Sequence, residues 1–111
     1  GEWQEGVCNT RERWTGAPKT LPVQALKDTS PYGVVGLCGS APEWTASWYH
    51  PYPGQPSFPM HLAGQQFRVI RGGGFFLPRD SARADARDYG GMESPGQERR
   101  AGIRLVRSLR P

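Results

Sequence analysis

Arg71-Gly72-Gly73-Gly74-Phe75 is followed at short spacing by Arg79, Arg83 and Arg87, and the chain closes on Ala101-Gly102-Ile103-Arg104-Leu105-Val106-Arg107. Three glycines in a row before an aromatic require a backbone that turns through positive φ or passes against another segment where no side chain fits. Arginines spaced around such a turn suit a compact, irregular scaffold, because the guanidinium fork can satisfy loop carbonyls that neither helix nor strand pairs. Arg71 and Arg104 are therefore assigned to the scaffold, bonded to loop carbonyls.

Outward from this stretch, the composition sets the limits. A chain of 111 residues has room for one small domain with one modest core, which should bury roughly 65% of the surface exposed on unfolding. Fifteen glycines and eleven prolines approach low-complexity levels, but no period emerges and four each of Trp, Tyr and Phe are spread along the sequence. Dispersed aromatics need burial, so the chain reads as folded and rich in loops. The net charge of +4 invites an acidic or nucleic-acid partner. Ten of the fourteen basic residues, however, are arginines from Arg68 onward, interleaved with Asp80, Asp85, Asp88, Glu93 and Glu98. Interleaving of this kind marks structural arginine, and no nucleic-acid partner is expected. No apolar run spans a membrane, so no membrane partner is expected either. The two cysteines, Cys8 and Cys38, could form one disulfide, yet no spacing argues for pairing, and with His50 and His61 as the only histidines there is no zinc set.

Residues 1 to 30 carry single apolar anchors (Trp3, Val7, Trp14, Leu21, Val23, Leu26) without helical or strand period and read as loop. Ser30-Pro31-Tyr32-Gly33 reads as a turn and Val34 to Leu37 as a short buried apolar stretch. Glu43 to His50 alternates Trp44, Ala46 and Trp48 against polar residues, a strand with one aromatic face. The proline-rich residues 51 to 65 form an exposed connection, and Phe67 to Arg71 is a strand ending in the glycine turn. Pro78 to Arg87 fits both a short helix and an extended arm, and Ile103 and Leu105 should face one side of a final strand with Arg104 on the other.

Taken in order, Cys8-Asn9-Thr10, Pro22-Val23, Tyr32-Gly33, Gly39-Ser40-Ala41-Pro42-Glu43-Trp44-Thr45, Arg71-Gly72-Gly73-Gly74-Phe75, Arg83 with Arg87, and Gly102-Ile103-Arg104 resemble the C-terminal part of the formylglycine-generating enzyme family, the sulfatase-modifying factor domains. The resemblance covers nearly the whole chain. It implies an α+β, irregular, loop-rich fold related to C-type lectins, with small antiparallel sheets. It also implies that residues 1–111 are the C-terminal portion of a single domain, because family members begin well upstream of Cys8. The expected partner is thus the N-terminal portion of the same domain or another chain.

The resemblance also bears on chemistry. Formylglycine-generating members bind reduced copper with two cysteines on the loop after the glycines, whereas here that loop reads Phe75-Phe76-Leu77-Pro78-Arg79-Asp80-Ser81 and no cysteine follows Cys38. A sulfoxide-synthase branch carries iron on an N-terminal helical domain; His50 and His61 lie in a proline-rich loop without a third partner. No copper or iron site is expected within the chain. A third branch uses the scaffold only for binding, which implies a noncatalytic module for a protein or small-molecule ligand. Its display surface would be Phe76, Arg79, Asp80, Arg83, Arg87 and Tyr89, with Phe75 in the core. The alternative is the C-terminal part of an oxygen-dependent metalloenzyme whose metal ligands lie upstream. Calcium is the remaining cofactor, with Glu43 and Asn9 as oxygen donors. Ser40 and Pro42 replace an asparagine and a tryptophan of the family pattern there.

Overall fold

The computed structural model describes residues 2–90 and 101–110. Glu93, Glu98, Arg99 and Arg100, part of the interleaved charge pattern, lie outside them. Three short strands form one antiparallel sheet in the order β1-β2-β3: β1 Glu43–Trp48, β2 Arg68–Arg71 and β3 Asp88–Gly90. The helical elements among the described residues are 3-10 turns at Arg11–Arg13, Val23–Ala25, Met60–Leu62 and Arg79–Ala82. An α+β class, poor in regular structure and rich in loops, is what these elements make.

β1 and β2 fall where the alternation predicts them. Glu43 pairs with Arg71 and Trp44 with Ile70, but Trp48 pairs with Arg68, so β1 carries an irregularity between the two tryptophans. Thr45 occupies that irregularity: its Oγ1 donates to the Val69 carbonyl at 3.0 Å and accepts the Ser47 N–H at 3.2 Å. A side chain thus supplies the hydrogen bonds the ladder loses at a bulge. Because the extra residues leave the parity unchanged, Trp44 and Trp48 stay on one face.

β2 is the centre of the core. Val69 and Ile70, successive residues that point to opposite faces, are each only 3% exposed, so the sheet is covered on both sides there. On the Ile70 face, Gly90 leaves room for the Trp44 ring, which any Cβ at that position would strike. On the Val69 face, Tyr89 stacks on Tyr49 with ring centroids 4.8 Å apart and meets Phe67 edge-on at 5.4 Å.

The glycine stretch serves as the junction of the loops. The Gly39 N–H donates to the Gly72 carbonyl at 2.6 Å, the Phe75 N–H to the Ser40 carbonyl at 2.7 Å, and the Ser40 N–H to the Asn9 carbonyl at 2.7 Å. Gly39, at φ +80°, lies directly against the Asn9 backbone. Arg71 bonds the Ala84 and Ala86 carbonyls and the Tyr52 hydroxyl, and Arg104 bonds the Val35 and Gly36 carbonyls, so both arginines hold loops as expected.

Several expectations are corrected. The segment after Gly102 is not a strand. Gly102 makes one parallel bridge, donating to the Pro42 carbonyl and accepting from the Trp44 N–H. Beyond it the backbone leaves β1 while Arg104 is drawn to Glu43, and Ile103 and Leu105 are 77% and 89% exposed. Leu37 is exposed rather than buried, although Val34 and Val35 are half-buried. Pro78 to Arg87 is neither a regular helix nor an extended arm: the 3-10 turn Arg79–Ala82 is followed by a bend at Arg83 and a second turn, closed by the Ala86 N–H on the Arg83 carbonyl at 3.0 Å, before the chain enters β3. Phe75 and Phe76 are both half-buried and pack edge to face at 5.0 Å. Cys8 and Cys38 pair in a disulfide with Cα atoms 5.3 Å apart, brought together by the adjacent Asn9–Gly39 bridge.

Candidate functional site

A cleft of about 460 Å³ lies between the N-terminal arm and the loop that follows the glycines. Trp3, Gln4 and Val7 form one wall; Arg79, Asp80, Ala82 and Arg83 form the other; the Cys8–Cys38 disulfide lies between them. The second wall is placed by local chemistry. Pro78 sets the extended entry to the 3-10 turn Arg79–Ala82. The Glu12 carboxylate accepts the Arg79 N–H at 2.9 Å, and that bond holds the Glu12 carboxyl below its ordinary value. Gly73, at φ +70°, lets Ser81 and Ala82 pack onto the glycine turn, since a Cβ there would come within 2.8 Å of the Ser81 Oγ and 2.9 Å of the Ala82 nitrogen.

The charged groups of the cleft differ in commitment. Arg83 forms an ion pair with Asp85 at 3.0 Å, and this hydrogen bond holds the Asp85 carboxyl below its usual range. Both side chains are about two-thirds exposed (66% and 67%), so the pair positions Arg83 with little energy. Arg79 lies 5.8 Å above the Trp3 ring and makes no ion pair within the described residues. A guanidinium over an indole, open to water, can take a carboxylate, a phosphate or an amide carbonyl.

Arg87 and Tyr89 lie elsewhere. The Arg87 guanidinium covers the Tyr52 ring at 3.7 Å and donates to the His50 carbonyl at 2.7 Å, and Tyr89 is stacked in the Tyr49–Phe67 cluster. Phe76 packs against Phe75 and beside Gly74. The six residues expected to share one surface are therefore divided, with Arg79, Asp80 and Arg83 together in the cleft. Trp3 and the disulfide complete that cleft and were not foreseen as site residues. Trp3 had only the signature of an isolated apolar anchor. A second hollow, about 530 Å³, lies between β1 and residues 104–106 and is lined by Leu37, Trp44, Arg104 and Leu105.

The family model for the sulfatase-modifying factor enzyme 1-like domain matches residues 2–109. The chain belongs to this family. No curated protein matches it. In this sulfatase-modifying factor domain, the loop after the glycines, Phe75 to Ser81, brings Arg79 and Asp80 to the cleft. Both cysteines of the chain line the same cleft, between its walls, and are bonded to each other.

The calcium donors of the sequence reading are already engaged. Asn9 is fully buried; its Nδ2 donates to the Lys19 carbonyl at 3.0 Å and its Oδ1 accepts the Trp14 indole N–H at 2.8 Å. Glu43 is held by the Arg104 fork, Nε at 2.8 Å and Nη2 at 2.6 Å, and this bond raises the Arg104 pKa further. A calcium ion at either residue would have to displace these partners. Among the described residues no three His, Cys, Asp or Glu side chains gather as a metal site, and no helix is long and apolar enough to cross a membrane.

Proposed function

We propose that this domain is a noncatalytic binding module whose ligand, a protein segment or a small molecule, occupies the cleft beside the disulfide. One observation carries the reading. The cleft presents an uncommitted guanidinium, Arg79, and a carboxylate, Asp80, beside an indole, while both thiols of the chain are joined in one bond. Such a site can orient a polar ligand. With its cysteines joined, it has no thiolate pair with which to hold copper.

The proposal extends to the architecture. The domain is the C-terminal portion of a lectin-like fold that the N-terminal portion, or another chain, completes. Support comes from Ile103, Leu105, Val106 and Leu109, which are 77% to 91% exposed; Leu105 and Val106 line the hollow along β1. Aliphatic side chains in such a row call for a cover. The same open face favours the second reading, an oxygen-dependent metalloenzyme whose metal is held by upstream residues.

Two measurements test this. Elemental analysis of the full-length protein should find neither copper nor iron in stoichiometric amount; finding either, with oxygen consumption, would overturn the binding reading. In nitrogen-15 NMR spectra, N-acetyl-aspartate and N-acetyl-tryptophanamide serve as probes. Saturable shifts confined to residues 2–8 and 79–84, and lost in Arg79→Ala, are expected. Shifts that persist in that variant would remove the cleft from consideration.

A further inference from the structure

We infer that the Cys8–Cys38 disulfide is a redox latch on the cleft: reduction frees the N-terminal arm and opens the wall that carries Trp3, while the sheet remains folded. The inference rests on the cleft being the binding site.

The two sides of the disulfide are anchored unequally. On the Cys38 side, the Cys38 N–H donates to the Asp28 carboxylate at 2.8 Å and the next residue, Gly39, donates to the Gly72 carbonyl at 2.6 Å. That loop is fixed to the glycine junction with or without the sulfur bond. On the other side, Asn9 is buried and held by its own hydrogen bonds, but the residues before Cys8 have few ties. The Gly6 carbonyl accepts one exposed bond from the Arg13 guanidinium at 2.9 Å, and Trp3 lies under Arg79. The Val7 N–H bonds only within the arm, to Gln4. The disulfide is thus the one covalent tether on the arm side of the Asn9 anchor, and the hinge for residues 2–7 is Cys8.

The bond also faces the space it would control. Both cysteines line the cleft; Cys8 is 9% exposed, whereas Cys38 is more open. An incoming thiolate entering along the cleft meets the Cys38 sulfur first. Arg79 and Arg83 on the facing wall favour its anionic form, opposed in part by Asp80 and Glu2. In the exchange a dithiol reductant supplies the electrons. Its thiolate attacks Cys38 Sγ, the Cys8–Cys38 bond breaks, and Cys8 leaves as a thiolate that takes up a proton. The second thiol of the reductant then attacks its own sulfur in the mixed disulfide, Cys38 leaves as a thiol, and the reductant departs as a cyclic disulfide.

The test is the steady-state nitrogen-15 NOE of the backbone together with hydrogen–deuterium exchange, on the full-length protein oxidised and then reduced with dithiothreitol, with the Cys8→Ser/Cys38→Ser double variant as a reductant-free equivalent. The NOE of residues 3–7 should fall by about half in both reduced and double-variant protein, while amide exchange in residues 68–71 stays within about twofold. That contrast corresponds to local opening rather than global unfolding. An unchanged NOE in residues 3–7 would overturn the latch, and so would faster exchange, by about tenfold or more, in residues 68–71, which would make the disulfide a staple for the whole fold. Trapping with glutathione at limiting concentration should put the mixed disulfide on Cys38; trapping on Cys8 would refute the direction of attack. None of these readouts needs the cleft's ligand, so a failed latch and a failed binding site give different results.

Discussion

The Arg104–Glu43 pair offers the sharpest energetic test of how this domain is held. Arg104 donates through Nε and Nη2 to both carboxylate oxygens of Glu43, at 2.8 and 2.6 Å, and Nη2 also reaches the Val35 carbonyl at 3.1 Å. The guanidinium therefore joins three segments: the chain after Gly102, the start of β1, and the loop before Cys38. The Arg104 and Glu43 side chains are 37% and 23% exposed, so the pair lies between two regimes. A fully exposed pair contributes roughly 0–1 kcal/mol. Bonds to a charged group with limited solvent access contribute about 1.5–3 kcal/mol. Arg104→Ala strands the carboxylate and a loop carbonyl together, and should lower stability by about 2 kcal/mol. Glu43→Gln keeps the shape and should lower it by about 1 kcal/mol. The double variant should then show a coupling of about 1 kcal/mol, because each single change removes the same ion pair. Arg104→Lys keeps the charge but loses the fork and should recover less than half of the loss. Urea denaturation of the four proteins, with unchanged m-values, measures the cycle. A coupling below about 0.3 kcal/mol would show that the fork is a surface accident and the segments are held by packing alone.

Three further outcomes are expected. Gly39→Ala places a methyl against the Asn9 backbone at φ +80°, which no side-chain rotation can relieve, and should reduce stability by about 3 kcal/mol or prevent folding; near-wild-type thermal melting would mean the Asn9–Gly39 bridge is not a fixed contact. Glu12 has its pKa lowered by the Arg79 N–H, so its stabilising contribution is complete above its ordinary value of 4.5 and is lost as pH falls through the lower folded value. Wild type should therefore lose more of its melting temperature than Glu12→Gln on acidification from about pH 5 to pH 3, and parallel pH profiles for the two would refute the tie. Because Asn9 and Glu43 are bonded within the protein, millimolar calcium should leave the melting temperature unchanged, whereas a rise abolished by Glu43→Gln would establish a calcium site.

The parts that alternation or glycine chemistry encode were legible from sequence. Trp44 and Trp48 share a face of β1, Val69 and Ile70 lie in β2, and Arg71 and Arg104 hold loops. β3 was not foreseen, since Asp88-Tyr89-Gly90 is too short to show a period and its place depends on Gly90 clearing the Trp44 ring. The apolar pattern after Gly102 read as a strand because patterning reports only what a segment would pair with if a partner lay beside it. The disulfide was undecided for a similar reason, as the contact between Asn9 and Gly39 is tertiary. Arg79, Asp80 and Arg83 were grouped on one surface because they follow the glycines in sequence, and they line one cleft. Arg87 and Tyr89 were grouped with them by the same proximity, yet the 3-10 turn and the second turn after it, closed by the Ala86 N–H on the Arg83 carbonyl, carry these two to the aromatic cluster.

The scarcity of fully hidden aliphatic side chains has a thermal consequence. Cys8, Pro42, Val69 and Ile70 are the apolar side chains below a tenth exposed among the described residues, whereas backbone bonds between loops are many. The heat capacity released on melting follows newly wetted hydrocarbon and is offset by newly wetted amide. Dominated by the second, this chain should have a small heat-capacity increment, a flat dependence of stability on temperature, and little tendency to come apart in the cold.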